Sequence, residues 1–200
     1  MSLGGARDLL ASATALYIVV SPTARTDASW PPRGYAGPSG RLDVVARAAV
    51  ASLSIERAAA FAGLLLGPPR PPVAVLASGE CVEAAGGERG VMEAFRRLLM
   101  GRRVGGCMAL PWGAERLLHE ARRLGFRVYT LEEGGADVSR VPGALRGRAA
   151  FLAGAHLDPP PGVLALARRL SEARVSVGPR SLLTSHVLAY LAALRVSGSA

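Results

Sequence analysis

Ala149-Ala150-Phe151-Leu152-Ala153-Gly154-Ala155-His156 and Arg174-Val175-Ser176-Val177-Gly178-Pro179 decide how this chain is read. Each is a short apolar strand that ends in a glycine turn. Between them lie Pro159-Pro160-Pro161 and a helical pattern over 163–172, and an apolar helix follows from Ser181. Strands that alternate with helices give an α/β fold, a mainly parallel sheet with helices on both faces. Such sheets bind small ligands beyond the carboxyl ends of their strands. Glycine there lets a ligand approach the backbone, so these two turns are the first place to look for a cofactor. Spacing alone favours the plainer view that Gly154 and Gly178 only turn the chain.

Outward from this segment the same alternation continues. A strand over 16–20 opens into a loop over 21–40 with four prolines and three glycines, long enough to be functional. Leu42, Val45, Ala46, Ala49, Val50 and Leu53 then recur at helical spacing and predict a helix over 42–53. Strands follow over 59–66 and 73–77 about a proline-rich turn, then a helix over 88–102 and another over 114–124 that stops at Gly125. A strand over 126–131 leads into an irregular loop over 132–147. Arg7, the apolar run 9–20 and Ser21-Pro22-Thr23-Ala24 loosely imitate a secretory signal. Asp8, Ser12 and Thr14 dilute that run, and 16–20 makes a better first strand.

Half of the 200 residues are hydrophobic, which suits one domain burying about 70% of its unfolded surface. No apolar run reaches the roughly 20 residues of a membrane-spanning helix, so a soluble protein is expected. The formal charge is +9 and all 24 basic residues are arginine; lysine, asparagine and glutamine are absent. Nucleotide bias explains part of this, and selection against heat-labile amides fits too. An arginine excess favours a polyanion, RNA or DNA, because the planar guanidinium matches phosphate. Scattered arginines that merely solubilise the surface account for the charge equally well. Cys81 and Cys107 stand outside any paired metal or redox spacing and, as isolated thiols, fit a reducing cytoplasm. His119, His156 and His186 lie far apart, so no metal is expected.

The chain has no Walker loop, no dinucleotide glycine fingerprint after a strand and no serine-hydrolase elbow. Triphosphate chemistry and serine hydrolysis are thereby disfavoured. Loops over 131–137, 154–158 and 177–182 remain, where backbone groups could recognise a nucleoside.

Four blocks sharpen this: Gly40-Arg41-Leu42-Asp43-Val44-Val45-Ala46-Arg47, Gly67-Pro68-Pro69-Arg70-Pro71-Pro72, Gly135-Ala136-Asp137-Val138, and the segment 174–191. In order and spacing, except between Arg97 and Gly113, they resemble the archaeal tRNA pseudouridine-54 N1-methyltransferases (TrmY) of the SPOUT superfamily. The resemblance runs over about 16–194. It implies one SPOUT methyltransferase domain over 14–200, a C-terminal trefoil knot, S-adenosylmethionine in the knot loops, tRNA as partner, a homodimer and a cytoplasmic location. Residues 1–13 extend beyond it and read as an N-terminal extension, a candidate for disorder.

The family's cofactor loops fall on Leu131, Gly154, Val177, Gly178, Pro179, Arg180, Ser181, Leu182 and Val187. Two positions depart from the family's habit: Ala155 stands where an acid is common, and Ser185-His186-Val187 where an asparagine-histidine-cysteine run is common. Backbone recognition of the cofactor survives both changes.

Methylation at N1 of pseudouridine requires loss of an imide-type proton and in-line alignment of the reactants. Asp43 is the candidate catalytic acceptor or orienter of that proton. The structural alternative is a first-turn acid that complements the helix dipole and pairs with Arg47 four residues on. Arg41 is a second candidate, in contact with a phosphate or the target nucleotide, or else bound in a simple salt bridge. Thr26, Asp27 and Arg33 are candidates for the RNA entrance. Arg96, Arg97, Arg102, Arg103, Arg122, Arg123 and Arg127 are candidates for tRNA backbone. His156 and His186 are more simply packed or hydrogen-bonded. The alternatives are a ribosomal RNA pseudouridine N1-methyltransferase of the same superfamily, an enzyme for a different tRNA base, and an RNA-binding relative without activity.

Overall fold

The computed structural model describes residues 3–31 and 35–198. Its elements in chain order are α1 (Leu3–Ala11), β1 (Ala15–Ser21), α2 (Leu42–Leu53), β2 (Ala60–Leu65), β3 (Val73–Ser78), α3 (Gly79–Ala85), α4 (Glu88–Leu99) and β4 (Cys107–Leu110). There follow α5 (Ala114–Arg123), β5 (Arg127–Asp137), α6 (Pro142–Leu145), β6 (Ala149–Gly154), α7 (Pro161–Leu170), β7 (Ala173–Ser176) and α8 (Thr184–Ser197).

Seven strands form one sheet in the order β4-β3-β2-β1-β6-β5-β7. β1 lies at its centre and all seven of its residues are buried, as a continuous apolar run in a doubly covered strand requires. β1 pairs in parallel with β2 and β6, and β5 in parallel with β6 and β7. The alternation of the strands divides the core. Tyr17, Val19, Phe61 and Phe151 face α2, α3, α4, α6 and α8. Leu16, Ile18, Leu64 and Leu152 face α1, α5 and α7. The expected α/β sheet covered on both faces is therefore present.

Several expectations are corrected. β3 and β4 are antiparallel to their neighbours, so one edge of the sheet is not parallel. β4 and α3 escaped the sequence reading because each is short and set among glycines. Cys81 and Cys107 are not isolated thiols. They form a disulfide that ties α3 to β4, with Cα atoms 5.8 Å apart. Within the N-terminal extension, residues 3–11 are a helix whose Ala6 and Leu10 are fully buried. Arg7 there makes a forked pair with Glu120 of α5 at 3.0 and 3.1 Å. The stretch 132–147 is only partly irregular, because β5 continues to Asp137 and a 3-10 turn (Val138–Arg140) and α6 follow. The last helix starts at Thr184, three residues later than expected.

Candidate active site

A cavity of about 960 Å³ opens where β5, β6 and β7 end, at the carboxyl edge of the parallel strands. Leu131, Gly154, Val177, Arg180, Ser181, Leu182 and Val187 line it, as seven of the nine cofactor candidates. Gly178 and Pro179 do not. Gly178 turns the chain instead: its carbonyl accepts from Ser176 Oγ at 2.7 Å and its N–H donates back to the same oxygen at 3.3 Å. The sequence reading missed Glu132, Glu133, Arg168 and Thr184 in the lining, and set aside His156 and His186, which also face it. The two histidines are exposed, not packed.

Local sequence explains the shape. Val175 of β7 pairs with both Leu131 and Ala136 of β5, so the intervening residues bulge out of the ladder and carry Glu132 and Glu133 into the cavity wall. At Gly154 a Cβ would lie 2.6 Å from the Leu157 carbonyl oxygen. The residue must be glycine for its own loop to close, before any ligand is considered. Thr184 Oγ1 lies 2.7 Å from the carbonyl oxygens of both Gly154 and Ala155, and its hydroxyl ties the start of α8 to the end of β6.

The cavity carries both signs of charge. Arg168 makes a two-pronged pair with Glu132, one arm at 3.0 Å. Hydrogen bonding from Arg168 holds the Glu132 carboxyl below its usual range, against the opposing effect of burial. Leu131, Leu152, Val175, Val177 and Val187 supply apolar wall. A volume of this size suits a nucleoside-bearing ligand. Apolar wall for a purine ring and acids beside arginines for a zwitterionic amino acid together fit S-adenosylmethionine.

Asp43 and Arg41 lie outside this lining, at the start of α2. Arg41 has left-handed backbone angles, φ 69° and ψ 33°. Its guanidinium grips both Asp43 oxygens, Nε–Oδ1 at 3.0 Å and Nη2–Oδ2 at 3.1 Å. That pairing raises the Arg41 pKa above its ordinary value. The expected partner Arg47 pairs with Asp43 at 3.8 Å and is also forked onto Glu88 at 2.8 and 3.1 Å. Thr23 joins this corner to the cavity. Its hydroxyl donates to the Gly40 carbonyl at 2.8 Å and lies 3.4 Å from His156 Nε2. Gly40 has φ 66°, and a Cβ there would sit 1.9 Å from the Thr23 carbonyl oxygen, so only glycine allows the approach.

Of the entrance candidates, Thr26 is a brace: its hydroxyl accepts from Arg70 N–H at 2.8 Å and donates to the Gly67 carbonyl at 3.3 Å. Asp27 is forked by Arg25 at 2.8 and 3.0 Å. Arg33 lies outside the described residues. Arg96 stacks over Trp30, 5.7 Å from the ring centre, and is not a free cation. Arg97, Arg102, Arg103, Arg122, Arg123 and Arg127 are exposed. The clusters at α4 and α5 belong to opposite faces of the sheet, so they do not merge into one patch. No group of three or more metal-ligating side chains occurs among the described residues, and no described helix is long and apolar enough to cross a membrane.

Fold and cavity define an α/β protein that holds an extended, partly charged small molecule at its strand ends. The chain belongs to the family described as "Putative SAM-dependent RNA methyltransferase", which it matches over residues 14–197. A curated tRNA (pseudouridine(54)-N(1))-methyltransferase from Aeropyrum pernix is 46% identical over 185 residues, spanning 90% of this chain and 94% of its own length. The crystal structure of Archaeoglobus fulgidus Nep1 bound to S-adenosylhomocysteine shares the fold, with a TM-score of 0.63 at 16% identity over 92% of this chain and 98% of that one. The family resemblance noted in the sequence is met.

Proposed function

We propose that this enzyme methylates N1 of pseudouridine at position 54 in the T-loop of tRNA. What carries the reading is the pairing of a cofactor-sized cavity with an Arg41–Asp43 corner joined to its rim through Thr23 and His156. Identity of 46% to a curated enzyme of that name supports it. When bound, S-adenosylmethionine supplies a methyl group on a positively charged sulfur. Leu131, Gly154, Val177, Arg180, Ser181, Leu182 and Val187 would hold it, with Glu132 and Arg168 near its charged groups.

The chain's own groups address the base. N1–H of pseudouridine is imide-like, and its loss leaves a negative charge shared with the ring carbonyl oxygens. Arg41, fixed in a fork by Asp43, is a preorganised cation for that charge or for the neighbouring phosphate. Each Asp43 oxygen keeps a further lone pair beside its Arg41 bond, so the carboxylate can still accept the proton directly or through water.

The same reading includes a single domain and a cytoplasmic location with its tRNA substrate. It also includes a knot, in which α8 passes through the β5–β6 connection. In support, Arg195 of α8 donates to the Ala144 and Gly147 carbonyls of that connection at 2.9 and 3.0 Å. A homodimer is supported by Leu182, Leu183 and Tyr190, large apolar side chains left about half exposed on and before α8.

Two T-loop RNAs that differ only in carrying uridine or pseudouridine at the target position test the assignment. Methyl transfer to the pseudouridine RNA alone is expected, because uridine's N1 is the glycosidic nitrogen and has no proton to lose. Equal transfer to both would overturn it.

A further inference from the structure

We propose that His156 is a specificity-determining residue whose Nδ1 accepts a hydrogen bond from an imide N–H of the target base. This rests on the reading of the site as a pseudouridine methyltransferase. Thr23 carries one hydroxyl proton, and the 2.8 Å bond to the Gly40 carbonyl uses it. Towards His156 the same oxygen can only accept, so Nε2 of the histidine is the donor across the 3.4 Å contact. A neutral imidazole that is protonated at Nε2 bears its lone pair at Nδ1. That nitrogen has no hydrogen-bond partner among the described residues, and the ring is exposed at the cavity lining.

Position gives the lone acceptor a purpose. His156 follows β6 at the cofactor cavity, and Thr23 connects it to Gly40, which precedes Arg41 and Asp43. A base that reaches both the cofactor and the Arg41–Asp43 corner passes this side chain. Uridine offers one imide donor, N3–H, whereas pseudouridine offers two, N1–H and N3–H. A single acceptor facing the N1 edge, sharing N1–H with Asp43 or its water until the proton leaves, meets N–H in pseudouridine and only C–H in uridine. One neutral hydrogen bond distinguishes them by about tenfold in affinity.

The test is binding of fluorescent T-loop RNAs, with pseudouridine or uridine at the target position, to the full chain saturated with S-adenosylhomocysteine. Wild type should bind the pseudouridine RNA about tenfold more tightly. His156→Ala should bring the two affinities together by weakening only the pseudouridine complex. His156→Gln, whose amide oxygen can accept, should restore part of the preference. Thr23→Val should lose part of it by freeing the ring's tautomer. A preference that survives in His156→Ala, or no preference in wild type, overturns the role. Failure of the parent reading is separate: the wild type would then transfer no methyl group to the pseudouridine RNA.

Discussion

The two ends of the parallel sheet are built in opposite ways, and α8 reaches both. At the carboxyl end its first residue, Thr184, holds the Gly154 turn beside an open cavity. At the amino end its Arg195 is 4% exposed and spends its guanidinium on Glu56 at 3.1 and 3.2 Å and on the carbonyls of Thr14, Ala144 and Gly147. Thr14 and Tyr17 donate to the same Glu56 carboxylate. Burial, then the charge of Glu56, pushes the Tyr17 phenol well above its usual pKa. One end is built around a buried charge pair that lines a smaller cavity of about 430 Å³, and the other is left to loops. The helix that carries the cofactor loop is thus fixed from behind, and the front can stay open for ligand without loss of position.

The largest effect should come from breaking this charge pair. Glu56→Ala leaves the Arg195 charge buried without its carboxylate, a change that costs about 3–5 kcal/mol. Denaturant unfolding would measure it. A loss under about 1 kcal/mol would mean that water reaches the guanidinium, and the contrast between the ends would collapse.

This contrast was only half legible in the sequence. β1 and β6 announced themselves as apolar runs and α2 by its periodicity, because burial writes a local pattern. Glu56 and Arg195 are 139 residues apart, and Thr23 and His156 are 133 apart. Pairs that the topology brings together leave no local spacing to read. The Cys81–Cys107 bond, 26 residues apart, was missed for the same reason. At the open end, glycine turns marked the place, and the family resemblance supplied the particular residues. Even so, Gly178 proved a turn residue, and the bulge that brings Glu132 inward was hidden in what read as loop.

The open end should respond in rate, not stability. Asp43→Asn is expected to lower turnover by about 100-fold, near 2.7 kcal/mol of barrier. Cofactor affinity should not change, since Asp43 lies outside the cavity lining. Single-turnover kinetics beside calorimetry separate the two. Unchanged turnover would leave Asp43 as the tether of Arg41, and Arg41→Ala should then weaken RNA binding and leave cofactor binding alone.

The smallest effect belongs to the Glu132–Arg168 pair at the cavity wall. The folded Glu132 carboxyl titrates below its ordinary value, chiefly because Arg168 donates to it. Its contribution is therefore fully present above the unfolded value of about 4.3 and is lost as pH falls through the lower folded one. Wild type and Glu132→Gln should differ slightly in melting temperature from neutral pH down to that value, and converge in stronger acid. The guanidinium is half exposed, so solvent and salt should shrink the gap further. A gap that instead widened on acidification would mean that Glu132 is held in its protonated form, and the charge assigned to this wall of the cavity would have the wrong sign.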